Sequence, residues 1–308
     1  MIRHYYNTRL GNAYLGEALE LIKEIPSESV NLILTSPPFA LRRKKEYGNV
    51  PPSEYVDWFA RFINDFWRVL TPDGSLVIDI GGSWNPGEPT RSLYHFELLI
   101  RLCTKFRLAQ EFYWYNQARL PSPAEWVTVR RIRVKDAVDP VWWLSKSPFP
   151  KSDNRKVLQE YSDSMLALLK HGYRAKRRPS GHDISRNFSV DNGGAIPSNF
   201  LVIANTESNS YYLTKCRDEG MKPHPARFPI GLPAFFIKLL TDKGDTVLDP
   251  FAGSNVTGEA AEKLGRKWIA FELFEEYLAA SRFRFEKPPK TTKRSANCQP
   301  ELFGADAR

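Results

Sequence analysis

The sequence predicts an α/β protein built on a doubly wound, mostly parallel sheet, interrupted by a long irregular insertion. Three observations carry this. Short aliphatic runs alternate with segments of helical spacing in residues 13–116 and again in 222–285, which is the pattern of a parallel sheet with helices on both faces. Two of those runs, 30–34 and 245–249, stop in turns rich in chemistry-bearing residues. Between the halves, residues 147–200 are dense in Pro, Ser, Asp, Asn, Gly, Lys and Arg and break the alternation.

Taken in order, residues 13–24 have helical spacing and end at Pro26-Ser27, and 30–34 is a buried strand. A basic loop, Leu41-Arg42-Arg43-Lys44-Lys45, follows. Tyr55, Trp58, Phe59, Phe62, Phe66 and Leu70 recur every three to four residues, so a helix with one aromatic face starts near Pro51. Thr71-Pro72-Asp73-Gly74 reads as a turn. A strand over 75–80, a helix over 92–106 and a strand over 111–116 come next. Residues 127–134 alternate apolar and basic positions, Arg130, Arg131 and Arg133 among them, as a strand with one charged face does. Another short strand covers 141–144. After 222 the expectation is a helix over 229–240, a strand over 245–249, a tight loop, and a helix over 257–264 closed by Gly265. A strand ending at Glu272, a helix over 274–285 and a frayed tail from Lys287 complete the chain.

Bulk properties bound the function. At 308 residues, 42% hydrophobic and 26% charged, the chain is globular. A net charge of +9 favours a polyanionic partner, although a basic enzyme of any kind shares it. Cys103, Cys216 and Cys298 are far apart and odd in number, which speaks against a disulfide framework or a metal site and fits a reducing cytoplasm. The N-terminus does not read as a secretory signal. No run approaches the roughly 18 apolar residues that span a bilayer, so no membrane partner is expected.

The first chemistry-bearing turn is Ser36-Pro37-Pro38-Phe39. Each proline fixes its own φ and pushes the preceding residue out of the helical region. The Ser36 hydroxyl and the Pro37 carbonyl are left as two fixed acceptors beside the flat face of Phe39, an arrangement suited to a planar base with an amino group. Taken alone, the same four residues read first as a plain turn, and it is the second turn that changes the reading. The second turn is Asp249-Pro250-Phe251-Ala252-Gly253-Ser254, between a strand and a helix. Its glycine admits close backbone approach, and the helix start offers free N–H groups. Glu272, 23 residues past Asp249 at the end of the next strand, is spaced to take ribose hydroxyls. A nucleotide-dependent dehydrogenase shares that logic, but G-x-G-x-x-G is absent. A plain helix cap is the other use for Glu272.

These residues carry a resemblance. Asp249 to Ser254 resembles motif I of the S-adenosylmethionine-dependent DNA amino-methyltransferases. Thr35-Ser36-Pro37-Pro38-Phe39 resembles their catalytic motif in its cytosine-N4 form, and His224-Pro225-Ala226-Arg227-Phe228-Pro229 their motif X. The order of the motifs is that of the β group. Asn255 stands where members often carry a second glycine, and asparagine tolerates the same left-handed backbone.

The resemblance implies a methyltransferase sheet and transfer of a methyl group from S-adenosylmethionine to N4 of cytosine in double-stranded DNA. It also implies pairing with a cognate restriction endonuclease. Ser36, Pro37, Pro38 and Phe39 would form the catalytic corner. Asp249, Pro250, Phe251, Ala252, Gly253, Ser254 and Glu272, with Arg227, Phe228 and Pro229, would hold the cofactor. Arg42, Arg43, Lys44, Lys45, Arg130, Arg131, Arg133, Arg177, Arg178 and His182 are the expected DNA contacts. The implied division is a catalytic part over 1–116, a target-recognition region over 117–220, a cofactor-binding part over 221–286 and a tail over 287–308, in a monomer. Adenine-N6 methylation, a non-catalytic DNA-binding role on the same fold, and an RNA or small-molecule methyltransferase are the competing readings.

Overall fold

In a computed structural model, the described residues are 4–40, 50–172, 190–206 and 210–286. The basic loop with Arg42, Arg43, Lys44 and Lys45, the residues Arg177, Arg178 and His182, and the expected tail lie outside them. Among the described residues, nine strands form one sheet in the order β1-β2-β9-β8-β3-β4-β6-β5-β7. They are β1 (Tyr6–Asn7), β2 (Gly11–Leu15), β3 (Val30–Thr35), β4 (Leu70–Asp79), β5 (Arg107–Tyr115), β6 (Val138–Ser145), β7 (Phe200–Val202), β8 (Thr246–Asp249) and β9 (Lys267–Glu272). The run β2-β9-β8-β3-β4 is parallel throughout. β6 is antiparallel to both of its neighbours, and β1 to β2.

The helices are α1 (Ala18–Leu21), α2 (Pro52–Ala60), α3 (Ile63–Val69), α4 (Tyr94–Leu102), α5 (Asp163–His171), α6 (Tyr211–Asp218), α7 (Gly231–Leu240), α8 (Val256–Lys263) and α9 (Glu275–Ser281). Central strand β3 reads as a nearly unbroken apolar run because both of its faces are covered. Ile33, Ile78, Leu248 and Phe271 share one core with Tyr55, Phe59, Phe66, Tyr94 and Leu98 from α2, α3 and α4. Leu32 and Val247, one position away on the pleat, are equally buried. The helix α7 packs on β3, and α8 on β8 and β9.

The chain divides into two compact units, one running up to Ser152 and resuming at Asn199, the other Asp153–Ser198. The second holds α5, capped by the Ser162 hydroxyl, and a short bridge between Gln159 and Ala195. Strands β6 and β7, which fall within the expected 117–220 region, belong to the sheet of the first unit.

Three expected elements differ. Residues 13–15 end β2 rather than begin a helix, because parallel pairing with β9 outweighs their helical spacing. The expected turn at 71–74 is part of β4, whose pairing with β3 shifts register between Val30 and Leu32. The stretch expected as a charged-faced strand over 127–134 instead begins in a helical turn, Glu125–Val129. Arg130 closes that turn by pairing with Glu125 at 2.7 Å and lying over the Trp126 ring. Arg131 follows in a left-handed conformation.

Candidate active site

The parallel order β9-β8-β3-β4 sets the C-terminal ends of four strands side by side, where open α/β sheets bind ligands. β3 runs directly into Ser36, β4 ends at Asp79, β8 at Asp249 and β9 at Glu272. One cavity of about 680 Å³ lies over these ends, within the roughly 300–1,000 Å³ of small-ligand pockets. Its wall includes the two sequence-distant turns, Ser36 to Phe39 and Pro250 to Ser254, together with Glu272.

Asp249 stands behind that wall. It is 2% exposed. Its Oδ1 accepts from the Thr35 hydroxyl at 2.7 Å and the Phe251 N–H at 3.1 Å, and Oδ2 from the Thr257 hydroxyl at 2.7 Å. Burial pushes its carboxyl up to about 6, against the pull of those donors. Asp249 therefore ties the end of β3 and the start of α8 to the loop.

The loop itself is shaped by two left-handed residues. Gly253 has φ +53°, and a Cβ there would meet the His224 ring at 3.1 Å. Asn255 has φ +57°, caps α8 through the Gly258 N–H and donates to the Tyr6 hydroxyl. The Gly253 N–H donates to Glu272 Oε2 at 2.8 Å, and the Phe274 N–H to Oε1 at 2.9 Å. Glu272 is nearly buried, and burial raises its carboxyl above the usual value despite these bonds. Backbone N–H groups thus hold the carboxylate in place where it lines the cavity. Phe251, Phe271, Leu273 and Phe274 add apolar surface to the same wall. Acceptors for a ribose, apolar faces for a ring and a close-approach glycine are the features a nucleoside cofactor such as S-adenosylmethionine needs.

The His224 to Phe228 segment closes this side. Burial pushes the His224 imidazole down to about 4, so it is neutral at physiological pH. Its carbonyl accepts from Arg227, whose own carbonyl accepts from Asn205 at 2.7 Å. Arg227 and Phe228 lie in the wall; Pro229 does not, and its carbonyl instead takes the Leu232 N–H at the start of α7.

At the other end, the Ser36 hydroxyl donates to Asp79 Oδ2 at 3.1 Å. Asp79 is 5% exposed, and its Oδ1 has no hydrogen-bond partner among the described residues. Burial first, and then the nearby Asp139, push its carboxyl well above the usual range; the Ser36 bond and Arg119 pull the other way. The Phe39 ring lies so close to Gly81 that a Cβ there would stand 2.5 Å from it. Trp114, held by its Nε1–H to the Ile203 carbonyl at 2.8 Å, joins the same wall.

Of the expected DNA contacts in the described residues, Arg130 and Arg131 are exposed. Arg133 is half-buried and holds the Pro89 carbonyl and Asp136. Sequence reasoning missed Gly16 to Ala18, Asp79, Trp114, Asn116, Arg119, Asp139 and Asn205, all of which line the cavity. For Asp79 a signal existed, since it is the one charged residue in the apolar run 75–80. The Arg119–Asp139 pair has none, because its members lie on separate elements.

Residues 30–283 match the N6/N4 family model described as DNA methylase. The type II methyltransferase M.PvuII of Proteus hauseri is 55% identical over 285 residues, covering 91% of this chain and 85% of the relative. The solved PvuII DNA methyltransferase, cytosine-N4-specific, superposes with a TM-score of 0.77 at 47% identity, covering 94% of this chain and 91% of that one. A solved M1.HpyAVI–SAM complex shares the fold, with a TM-score of 0.52 at 18% identity and coverage of 90% and 100%.

Proposed function

From the premise that this chain belongs to the N6/N4 DNA methylase family, we propose that it transfers a methyl group from S-adenosylmethionine to N4 of a cytosine in double-stranded DNA. The carrying observation is the single cavity walled at one end by Ser36, Pro37 and Phe39 and at the other by Gly253 and Glu272. The cytosine-N4 specificity of the PvuII enzyme, at this level of identity, favours cytosine over adenine.

When bound, the cofactor supplies an electrophilic methyl group on a sulfonium centre. Glu272 would take the ribose hydroxyls. Pro250 to Ser254 with Arg227 and Phe228 would line the methionyl arm, and Asp249 keeps that loop in place from behind. The extruded cytosine stacks on Phe39. Extrusion costs a few kcal/mol, which stacking and phosphate contacts offset. Ser36 Oγ and the Pro37 carbonyl would accept the two N4 hydrogens, which favours a pyramidal nitrogen with its lone pair freed for the transfer. The departing N4 proton passes to Ser36 as Ser36 gives its own to Asp79.

The exposed Arg130 and Arg131, with Arg42, Arg43, Lys44, Lys45, Arg177, Arg178 and His182, are the proposed DNA contacts, and residues 117–220 the proposed reader of the target sequence. A cognate endonuclease, a monomeric state and a cytoplasmic setting complete the reading. In support of that setting, Cys103 and Cys216 are free thiols. No helix among the described residues is long and apolar enough to cross a membrane.

The test is incubation with plasmid DNA and methyl-labelled cofactor, followed by digestion to nucleosides. Label in N4-methylcytosine is the expected result. Label in N6-methyladenine would overturn the choice of base, and no label in DNA would overturn the enzymatic reading.

A further inference from the structure

The corner formed by Ser36 and Pro37 recognises an amino group but does not distinguish cytosine from adenine. Each base carries its amino group next to a ring nitrogen acceptor. The difference lies one atom further round the ring, where cytosine has its O2 carbonyl and adenine a C–H. A hydrogen-bond donor at that third position lets a pocket choose cytosine by pairing, apart from any exclusion of the larger purine.

Arg119 is such a donor. It follows the end of β5, lines the same cavity as Ser36 and Asp79, and is half-buried. Its guanidinium grips Asp139 with both terminal nitrogens, Nη1 to Oδ1 at 2.9 Å and Nη2 to Oδ2. Asp139 is 3% exposed and sits in β6 opposite Trp114, so the fork is held by the sheet itself. The bidentate grip uses two of the five N–H groups of an arginine. Among the described residues no other acceptor takes the remaining three. Arg119 and Asp139 line the same cavity as Asp79 and Ser36. Two other donors in this wall are already engaged, Trp114 Nε1 with the Ile203 carbonyl and Asn205 Nδ2 with the Arg227 carbonyl.

We propose that Arg119, clamped by Asp139, donates to the O2 carbonyl of the extruded base and so makes the pocket select cytosine over adenine. The inference rests on the proposed function, because it takes the amino group to sit at Ser36 and Pro37. A site built to pair a polar group rejects the analogue that lacks it far better than an apolar site rejects extra bulk. With adenine bound, the free N–H groups would face a C–H in a closed pocket.

The experiment compares kcat/KM on duplexes carrying cytosine or adenine at the mapped target position. The wild type is expected to favour cytosine by at least about 1,000-fold, in line with hydrogen-bonded discrimination elsewhere. Arg119→Met should lower the cytosine value at least about 100-fold and leave the adenine value unchanged or higher, so the ratio collapses. Because that variant strands the Asp139 carboxylate, the double variant Arg119→Met with Asp139→Asn removes both charges, and it should show the same collapse with cofactor affinity unchanged. A ratio that stays at the wild-type value in the double variant overturns the role of Arg119 and leaves the proposed function standing. A wild type that prefers adenine overturns the base reading itself.

Discussion

A serine hydroxyl is a weak proton acceptor, and in the proposed mechanism Ser36 gains strength through its hydrogen bond to Asp79. A base works best when its pKa approaches the working pH, and Asp79 is moved in that direction by burial and by Asp139. The proposed step requires the ionised carboxylate. A raised pKa shifts the loss of that form upward, so kcat/KM should be present at higher pH and fall as pH drops through an ionisation above the usual carboxylate range. Asp79→Asn should lower kcat by about 10²–10⁴-fold, the span of general acid–base contributions, and erase that acid limb. Ser36→Ala should lower kcat similarly while the cofactor dissociation constant stays put. Rate–pH profiles and calorimetry read both, and a limb unmoved in Asp79→Asn would exclude Asp79 as the acceptor.

At the scale of elements, the loop between β8 and α8 depends on Asn255, which occupies a left-handed conformation and caps the helix at once. Alanine loses the cap and meets the left-handed penalty, each about 1 kcal/mol. Asn255→Ala should therefore destabilise by about 2 kcal/mol, and Asn255→Gly by clearly less, because glycine keeps the backbone. Denaturant titration of both variants checks the ranking; equal losses would mean that the left-handed backbone carries no cost there. This loop was legible in the sequence because its constraints are local: a strand, a glycine, an asparagine at the turn and an acid one strand later. β3, α7 and β9 were legible for the same reason. The 13–15 and 127–134 stretches were not. The first becomes a strand only because β9 offers its edge, and the second coils because Glu125 and Trp126 take up Arg130. The Ser36–Asp79 bond joins positions 43 apart on neighbouring strands, and neither position encodes the other.

Across the whole molecule, the net charge of +9 suits a polyanion, but charge alone does not say where it binds. If Arg130 and Arg131 meet phosphates, replacing both with alanine should reduce the slope of log Kd against log salt by about 2 and weaken all sequences alike. Fluorescence anisotropy over a salt series measures this, and an unchanged slope removes the pair from the interface. One further consequence follows from where β8 lies in the chain. β3 pairs with β4 on one side soon after it is made, but its other neighbour is encoded more than 200 residues later. At about 5–20 residues per second on the ribosome, that gap lasts on the order of tens of seconds. On the proposed site, the nascent polypeptide has no place to bind a methyl donor until the gap closes, so a prematurely terminated product would leave the genome unmarked.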